Sequence, residues 1–563
     1  MFKSWIIKNA DQSHVDELAQ KLDIHPVLAR LLINREILDP IQAKQFLNAD
    51  AGSLHDPFLM KGMKKAVERI EMARSKKERV LVFGDYDVDG VVSSFLLANL
   101  LKELGLYVHN HIPHRFDHGY GVKAHIHDVV KDNDIDLVMT IDCGITAIEE
   151  VRVLKAAGVD TIIMDHHEAS VDKMPDAFAI INPKQPGCPY PFKELASVGL
   201  AAKLHQAFKG SVPDDILGLV AIGTITDIVP LLGENRIFVA RGLPLVDSTK
   251  NLGLAALLDV AKIKGKKVTS YHVGFIIGPR INASGRMDSA HHSLNLLMSK
   301  NKEEAYELAL GLDRCNSDRQ KIQRESIAEA IEMVNQEVNF KDHKVIVLSK
   351  EGWHKGVLGI VSSQITDRFY RPSIIISLND GIGTASARSI DGFHLHDALV
   401  NCSQYLENFG GHEGAAGLTI KEENIDPFRD FINTVAHKTI DQKTLVPAIT
   451  IEGEIALADI TLELVNTVLK FAPFGEGNPE PVFCTKKAIV KGQPAVMGKE
   501  TLKFWVTDGK RSISAVGFGM AKYIDIVRSG EEVDIAYQLS IDDWNKQPCA
   551  QLKLKDIRSS KDR

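Results

Sequence analysis

The sequence predicts an α/β protein in which a parallel-sheet domain is joined by a long helix to a second α/β domain, followed by a small C-terminal β-barrel. Three observations lead to this fold class. Short apolar runs alternate with helical patterns from about 60 to 235, helical spacing continues without proline from 301 to 338, and short β patterns follow one another from 446 to 556. The first pattern is typical of a parallel sheet covered by helices, and the last is typical of a barrel.

Composition limits the classes of protein that the chain can belong to. With 563 residues, of which 44% are hydrophobic, we expect three or four domains. The balance of 67 basic and 74 acidic residues gives a net charge of −7, which argues against attraction of nucleic acid by the whole surface but allows a local basic groove. Six cysteines form no CxxC pair, so we expect a reduced, cytoplasmic protein without structural zinc. No stretch reaches the roughly 18 consecutive apolar residues of a membrane helix, so no membrane association is expected.

The N-terminal half is predicted to contain a helical arm and the parallel-sheet domain. Residues 1–50 are assigned to the arm because apolar residues recur at helical spacing from residue 12 onward. Residues 51–300 are assigned to the sheet domain, with helices near 90–104, 122–132, 145–157 and 195–225. The candidate strands are Val80–Phe83, Tyr107–Ile112, Leu137–Ile141 and Thr161–Met164. Because ligands bind outside the carboxyl ends of such strands, the residues that follow each strand should converge.

Three aspartates at alternate positions follow the first of these strands: Asp85, Asp87 and Asp89, with Gly90 next. Crowded carboxylates repel one another unless a cation neutralises them, and oxygen ligands favour Mg²⁺ or Mn²⁺. The pattern also opens a calcium-binding loop, but the position that requires a bidentate Glu is Leu96, and a buried strand replaces the required helix. An acidic surface turn remains the alternative for the triplet taken alone.

Further acidic and histidine residues follow the later strands. Asp142 comes after Leu137–Ile141, and Asp165, His166 and His167 come after Thr161–Met164. Asp227 stands in an otherwise apolar segment, where a lone Asp is more often a helix cap or a paired charge. Because chance does not readily place four such clusters at one edge of a sheet, the sequence predicts a metal centre there.

These motifs, in this order and spacing, resemble the DHH phosphoesterase family and, within it, the branch of bacterial single-strand-specific DNA exonucleases. The resemblance extends from about 50 to 555 and implies two Mn²⁺ or Mg²⁺ ions, with Asp142 as the bridge between them. It implies the metal ligands Asp87, Asp89, Asp142, His166 and Asp227. It also implies catalytic roles for Asp85, as a ligand or close by, and for Asp165 and His167, which would orient His166 and contact the phosphate. Pyrophosphatases of the wider superfamily have a histidine where this chain has Phe83, which argues against that activity.

A two-ion centre also fits the chemistry of phosphodiester hydrolysis. The substrate is anionic and repels hydroxide, so cleavage needs charge neutralisation, an activated water and a stabilised leaving oxygen. Two ions roughly 3.5–4 Å apart supply all three.

Two segments of the first domain are candidates for binding the strand. Residues 112–121 resemble a loop of the family, which makes Arg115 a candidate phosphate clamp and Tyr120 a candidate stacking platform; the alternative is a Gly/Pro loop with incidental charges. Residues 272–292 are similar to the same branch. Here Arg280, Asn282 and Arg286 either grip backbone phosphates or hold domains together, and the sequence leaves both open.

The C-terminal half continues the resemblance. Residues 301–340 are predicted to form the connecting helix, and residues 341–440 resemble the family's DHHA1 domain through Gly410, Gly411 and His412. The resemblance implies that Ser386 and Arg388, with His412, bind a terminal 5′ phosphate. Residues 446–556 fit an OB-fold, a nucleic-acid-binding barrel. Its aromatic residues Phe504, Trp505 and Trp544 either stack on bases or belong to the core.

The function predicted is that of a metal-dependent exonuclease that hydrolyses single-stranded DNA to 5′-mononucleotides. Its 5′-to-3′ direction, its role in recombination and repair, and a single-strand-binding protein and a helicase as partners come from the resemblance alone. A phosphodiesterase for short RNA or cyclic dinucleotides is one alternative, although such a substrate needs no second binding platform. A nucleic-acid-binding scaffold without catalysis is the other, although a scaffold should have lost metal ligands.

Overall fold

A computed structural model describes residues 3–115, 117–119, 121–287, 289–528, 530–542 and 547–561. The chain forms two compact units. The larger unit contains Trp5–Gly278, Leu294–Tyr306 and Ile449–Arg563, and the smaller unit contains Met1–Ser4, Pro279–Ser293 and Glu307–Ala448. None of the helices in the described ranges has the length and apolarity needed to cross a membrane.

Eighteen strands occur in the described ranges. In chain order they are β1 (Ser4–Ile7), β2 (Arg79–Gly84), β3 (Tyr107–His111), β4 (Leu137–Ile141), β5 (Asp160–Met164), β6 (Ala179–Ile181), β7 (Ile346–Glu351), β8 (Ser373–Asn379), β9 (Ile382–Arg388), β10 (Leu406–Gly411), β11 (Ala415–Lys421), β12 (Ala448–Ile451), β13 (Gly453–Glu454), β14 (Val482–Met497), β15 (Thr501–Thr507), β16 (Ser512–Gly517), β17 (Glu532–Asp542) and β18 (Cys549–Ser559).

Nineteen α-helices accompany these strands in the same ranges. They are α1 (Gln12–Leu22), α2 (Pro26–Ile33), α3 (Pro40–Asn48), α4 (Met63–Lys76), α5 (Val88–Glu103), α6 (Ile126–Asp132), α7 (Ile148–Ala156), α8 (Ser197–Lys209), α9 (Asp214–Thr226), α10 (Gly233–Val246), α11 (Leu252–Val260), α12 (Ser270–His272), α13 (Gly278–Met287), α14 (His291–Met298), α15 (Lys302–Glu337), α16 (Leu358–Phe369), α17 (Leu395–Asn401), α18 (Ile425–Thr439) and α19 (Leu462–Leu469).

The first sheet of the larger unit is parallel, in the order β3-β2-β4-β5-β6. Strands β2 and β4 are almost wholly buried, as expected for apolar runs covered on both faces. The four predicted strands are confirmed, and β6 adds a fifth that was not predicted. Gly84 pairs with Ile141, and Ile141 pairs with Met164. The residue after each strand therefore emerges beside its neighbours at one edge of the sheet.

The predicted helix over 195–225 is wrong as a single helix, because the structure divides it into α8 and α9. Gly210 ends α8 in a left-handed conformation with φ of 77°, and Pro213 precedes the first residue of α9. Glycine adopts positive φ without steric cost, and proline cannot donate the hydrogen bond that would continue the helix. The break is therefore caused by the residues of 210–213 themselves.

The C-terminal barrel closes and shares its core with the N-terminal helices. Its strands follow the order β14-β15-β16-β18-β17, and β17 pairs with β14 to complete the ring. Val15, Leu28 and Leu31 from the arm belong to one buried cluster with Phe483 and Val533 from the barrel. The unpredicted strand β1 also pairs with β12. The arm that the sequence treated as separate is thus part of the barrel's core.

The smaller unit contains the second α/β domain. Its sheet has the order β10-β11-β9-β8-β7, in which only β7 and β8 run parallel. The predicted long helix is present as α15, with 36 residues. The segment Pro279–Ser293, which the sequence assigned to the first domain, belongs to the smaller unit.

One buried arginine links three parts of the larger unit. Arg236 on α10 is 2% exposed and donates to the carbonyl of Phe46 (2.7 Å) and to those of Phe471 (3.0 Å) and Ala472 (3.1 Å). Burial lowers its pKa to about 10, so the group stays charged at neutral pH. Because carbonyls left without a donor in a dry interior are costly, this contact stabilises the attachment of the arm and barrel to α10.

We expect Arg236→Met to destabilise the protein by about 3 kcal/mol or more, because several buried carbonyls lose a charged donor. Arg241→Met, on the same helix, is the matched control: its guanidinium pairs at 3.2 Å with the exposed Asp214, a contact worth about 1 kcal/mol at most. Denaturant unfolding followed by fluorescence measures the difference. Equal midpoints for the two variants would contradict the linking role of Arg236.

Candidate metal centre

The carboxyl edge of the parallel sheet brings together seven of the eight acidic and histidine residues that the sequence predicted for the metal centre, all but Asp165. They form three groups, in each of which the potential ligand atoms lie within 4.8 Å of one another. The groups are Asp85, Asp87 and Asp142; Asp89, His166 and Asp227; and Asp142, His166 and His167. Asp142 and His166 each occur in two groups and therefore lie at the middle of the cluster.

The strand ends position Asp85, Asp142 and Asp165 side by side. Each residue directly follows one of three laterally paired positions in β2, β4 and β5. The amide of Asp142 donates to the carbonyl of Met164 (3.0 Å), which extends the ladder by one bond. Asp142 also has a φ of 65°, in the left-handed region that few residues other than glycine occupy. Such a departure is typical of functional sites, and here it turns the chain at the sheet edge.

The N-terminus of α8 fixes Asp89. The amide of Ser197 donates to Asp89 Oδ2 (2.7 Å) and the amide of Val198 donates to Asp89 Oδ1 (2.9 Å). These are orphan donors at the positive end of the helix dipole, which favours a carboxylate. The hydroxyl of Ser197 donates to Asp142 Oδ1 (2.8 Å). A Cβ at Gly223 would lie 2.9 Å from Asp89 Oδ1, so glycine at that position leaves room for the carboxylate.

Asp87 and Asp227 come from the ends of two helices. Asp87 caps α5, where its Oδ1 accepts from the amide of Gly90 (3.0 Å). Asp227 is the C-cap residue of α9, so its carboxylate stands at the negative end of a helix dipole. That position disfavours the anion unless a cation is nearby. The alternative interpretation of Asp227 as a helix cap agrees with its position at the end of α9. It does not explain what stabilises the negative charge of the carboxylate there.

Three buried polar atoms in the cluster point to a missing partner. Asp85 Oδ1, His166 Nε2 and Asp227 Oδ2 have no hydrogen-bond partner among the described residues. His166 Nε2 lies 3.4 Å from Asp142 Oδ1 and 3.5 Å from Asp227 Oδ2. Since buried polar atoms are normally satisfied, an imidazole nitrogen surrounded by carboxylates fits a divalent cation bound between them.

Electrostatics support this assignment. Burial, then the neighbouring carboxylates, raises the pKa of Asp89 to about 7 and that of Asp227 to about 9, and raises those of Asp85 and Asp142 as well. Burial lowers the pKa of His166 to about 3, so its ring is neutral and able to ligate. Because carboxyls with raised folded-state pKa values bind more protons when folded, these carboxyls contribute stability to metal-free protein that is lost as the pH rises from about 4 toward 9.

Asp165 and His167 form a separate pair beside the cluster. Asp165 accepts from the amide of Ile145 (2.9 Å) and lies 2.7 Å from His167 Nδ1. Burial alone would raise the pKa of Asp165, but the hydrogen bonds from His167 and Ile145 lower it. Burial would lower the pKa of His167, but Asp165 raises it. The ring of His167 is thus one hydrogen-bond partner of Asp165, and the orientation of His166 by Asp165 and His167 stays a prediction.

The predicted strand-binding residues lie in different environments. The guanidinium carbon of Arg115 lies 5.0 Å from the ring centroid of Tyr86, next to the acidic triplet, and its charge acts on Asp85. Tyr120 lies outside the described residues. Arg280 pairs with Asp313 (2.9 Å), and Arg286 donates to the carbonyl of Gly356 (3.4 Å).

Those two arginines and Asn282 belong to α13, so the Gly-rich segment predicted as a loop is a helix. Pro279 is tolerated there because it lies in the first turn. Asn282 is half-buried. Within the smaller unit, Arg280 and Arg286 both contact neighbouring segments, and their roles stay predictions.

The smaller unit brings Ser386, Arg388 and His412 together on adjoining strands. Arg388 donates to Ser386 Oγ (3.3 Å), and β11 pairs Ala415 with Arg388, which places the hairpin turn of His412 beside it. A Cβ at Gly359 would lie 3.2 Å from both Ser386 Oγ and Arg388 Nη2.

In the barrel, alternation along β15 decides between the two interpretations of its aromatic residues. Phe504 is 1% exposed and belongs to the core, which is the second of its two interpretations. Trp505 is 47% exposed and pairs with Lys491 across the strands. Trp544 lies outside the described residues.

Sequence reasoning missed Ser197, Val198 and Gly223. Ser197 and Val198 could have been found in part, because a helix was predicted to begin near 195 and the N-termini of helices bind carboxylates. Nothing in the local sequence indicates which carboxylate would reach that helix.

Comparison with known proteins agrees with this geometry. The profile of the DHH family N-terminal domain matches residues 79–224, that of the DHHA1 domain matches 342–438, and that of the RecJ OB domain matches 451–556. The single-stranded-DNA-specific exonuclease RecJ of Bacillus subtilis is 39% identical over 559 residues, which cover 99% of this chain and 71% of that protein. The protein of the same name from Haemophilus influenzae is 33% identical and covers 94% of this chain and 95% of its own length.

A solved structure has the same architecture. RecJ from Thermus thermophilus in complex with Mn²⁺ superposes with a TM-score of 0.83 at 27% identity, and the match covers 99% of this chain and 79% of that chain. Its complex with Mg²⁺ superposes with a TM-score of 0.76 at 25% identity, covering 99% and 78%.

We expect metal binding to release protons, because Asp227 and part of Asp89 are protonated in metal-free protein near neutral pH and ligation requires the anion. Mn²⁺ affinity should therefore rise at least about tenfold per pH unit between about pH 7 and 9, since Asp227 and Asp142, whose pKa values are both raised, must lose their protons. Calorimetric titration of chelator-treated protein in two buffers with different ionisation enthalpies counts the protons. Asp227→Asn should release about one proton fewer, whereas equal heats in both buffers and a pH-independent affinity would contradict the expectation.

Proposed function

The chain belongs to the RecJ family of DHH phosphoesterases, and we propose that it removes nucleotides one at a time from the 5′ end of single-stranded DNA, with Mn²⁺ or Mg²⁺ as cofactor. The observation that carries this proposal is the convergence of five aspartates and His166 at the edge of the parallel sheet. An anionic diester cannot approach such a cluster unless bound cations reverse the negative charge of the cluster.

We assign Asp87, Asp89, Asp142, His166 and Asp227 as ligands of two ions, with Asp142 shared. Support for the shared position comes from the occurrence of Asp142 in two of the three groups and from its hydrogen bond with Ser197 (2.8 Å), which holds one oxygen. Asp85 lies beside Asp87 and Asp142, so it ligates directly or supports them.

When bound, the ions supply charge neutralisation, an activated water and a stabilised leaving oxygen. The chain's own contribution is positional. The two amides of α8 hold Asp89, the sheet edge holds Asp85 and Asp142, and burial keeps His166 neutral. Asp165 keeps the ring of His167 oriented, with the side chain of His167 44% exposed. A ring that is exposed and has a raised pKa can donate a hydrogen bond to a phosphate oxygen.

We further propose that Ser386, Arg388 and the His412 hairpin bind the terminal 5′ phosphate. A guanidinium beside a hydroxyl matches the acceptors of a phosphomonoester. Arg115 is proposed as a clamp on the diester, since it lies next to the acidic triplet. Direct phosphate contacts of Arg280 and Arg286 require those side chains to exchange their present protein partners.

We place the protein in the cytoplasm, acting in DNA recombination and repair beside a single-strand-binding protein and a helicase. The six cysteines, all within the described residues, form no disulfide with one another, which supports a reducing compartment. The exposed Trp505 beside Lys491 supports a role for the barrel in holding the strand, since base stacking and phosphate contacts are how OB-folds bind single strands.

Asp142→Ala should reduce cleavage at least about a hundredfold, since the loss of residues that merely support a ligand already costs about 10–100-fold, while strand binding persists. Asp172→Ala, an exposed aspartate of the same unit, is the matched control and should cleave normally. Cleavage rates in excess Mn²⁺ and strand affinity in EDTA provide the two readouts. Near-normal turnover of the Asp142 variant would show that it is not the shared ligand.

A strand labelled separately at its 5′ and 3′ ends should lose the 5′ label first, as a mononucleotide, and only in the presence of Mn²⁺ or Mg²⁺. A matching duplex and an RNA of the same sequence serve as substrate controls, and EDTA serves as the metal control. Early release of the 3′ label would reverse the proposed direction. Cleavage confined to very short RNA would indicate a small phosphodiesterase, and strand binding without cleavage under any condition would indicate a scaffold.

A further inference from the structure

Two aromatic side chains lie exposed and stacked on one turn of the larger unit. Tyr271 is 63% exposed and Phe275 is 69% exposed. Their ring centroids are 5.0 Å apart, with 28° between the planes. Because large aromatic rings are usually buried, a nearly parallel exposed pair has the form of a surface on which another flat group can stack.

Local structure holds this ring pair in place. The amide of Thr269 donates to His272 Nδ1 (3.2 Å) and caps the short helix α12. A π-helical turn, Val273–Ile277, follows, and both of its end residues are fully buried. Residues four apart lie on the same face of a helix, so the two rings point the same way. Single π-helical turns are frequent at functional sites.

A basic segment precedes the ring pair. We call it the lysine loop; it comprises residues 262–267 and contains the exposed residues Lys262, Lys264, Lys266 and Lys267. Burial, and then the charge of Lys266, lowers the pKa of His272, which places that lysine near the rings. Over residues 247–278 there are five lysines and two acidic residues, Asp259 and Asp247, and the Asp247 carboxylate accepts from the amide of Gly265 in the loop (2.7 Å). This local excess of positive charge contrasts with the net charge of −7 of the chain.

The ring pair is also anchored to the element that carries a predicted metal ligand. Gly278, directly after the π-helical turn, packs so closely on α9 that a Cβ there would lie 2.6 Å from Thr226 Cγ2. Thr226 is the last residue of α9 and precedes Asp227. The rings and the lysine loop are therefore attached to the same helix end as the metal centre.

We infer that Tyr271 and Phe275, with the lysine loop, form a binding surface for single-stranded nucleic acid, on which bases stack while lysines contact the backbone. The inference rests on the proposed function, because that function supplies a strand at this centre. Stacked rings beside lysines match a polymer that alternates flat bases with anionic phosphates. The rings are more than half exposed rather than set in a pocket, which suits successive bases better than a single buried anchor of a protein partner.

The test is strand binding in EDTA, where no cleavage can occur. Wild-type protein should bind oligothymidylate more tightly than an abasic strand of equal length. The double variant Tyr271→Ala/Phe275→Ala should bind oligothymidylate about tenfold or more weakly, near the abasic level. Tyr271→Phe should retain wild-type affinity. Lys266→Gln/Lys267→Gln should weaken both strands equally and reduce the salt slope by about 2.

Controls separate this inference from the proposed function. Tyr107→Ala, which removes another exposed ring (75%), should change nothing, and thermal unfolding checks that every variant is folded. In Mn²⁺ the double variant should raise KM and leave kcat nearly unchanged. If wild-type protein cleaves but the ring variants bind and cleave normally, the inference is wrong while the proposed function stands. If wild-type protein never cleaves but the rings are needed for base-dependent binding, the proposed function is wrong while the inference stands.

A rival occupant can be tested in the same way. If the double variant lost affinity for a fluorescent acidic peptide rich in aromatic residues, with strand affinity unchanged, the surface would be a protein-docking site and the inference would be overturned.

Discussion

Mutual repulsion among carboxylates at one edge of the parallel sheet is the constraint on which this structure depends. Asp85, Asp142 and Asp165 emerge side by side from three paired strands, and helix ends add Asp87, Asp89 and Asp227. Hydrogen bonds compensate only part of that charge. Asp165 is stabilised by His167, and Asp89 by two amides, whereas buried oxygens of Asp85 and Asp227 have no partner in the described structure. A bound cation would neutralise the negative charge that these hydrogen bonds do not compensate. Without such neutralisation the buried carboxylates oppose folding.

The same arrangement separates rigid from adjustable parts of the centre. Strand ends are fixed by ladder hydrogen bonds, and the left-handed backbone at Asp142 persists because the surrounding sheet determines it. The N-terminus of α8 adds a second rigid support through the amides of Ser197 and Val198. His167 is different, since its side chain is 44% exposed and its ring is hydrogen-bonded to the carboxylate of Asp165. A side chain of this kind can follow a substrate while the ligands stay in place.

Buried charge also organises the larger unit away from the metal centre. Arg236 satisfies backbone carbonyls from the arm and from the segment before the barrel. The core that α1 and α2 share with the barrel joins residues more than 400 positions apart. The barrel and the parallel sheet are thus parts of one compact unit, and the exposed rings of Tyr271 and Phe275 lie on the surface of that unit next to α9.

Sequence patterns predicted the alternation of strands and helices, the four central strands and the long helix α15. They also predicted the acidic and histidine residues of the metal centre. These features depend on local periodicity and on residues that directly follow buried strands, both of which are visible along the chain. Which side chains and elements contact one another became known from the tertiary structure. Three contacts could not be read along the chain: the hydrogen bond of Asp165 with His167, those of Asp89 with the N-terminus of α8, and the packing of the arm on the barrel. The exposure of Tyr271 and Phe275 likewise depends on which elements pack against them. No local pattern encodes such contacts, because a side chain's partner across space is set by the packing of whole elements.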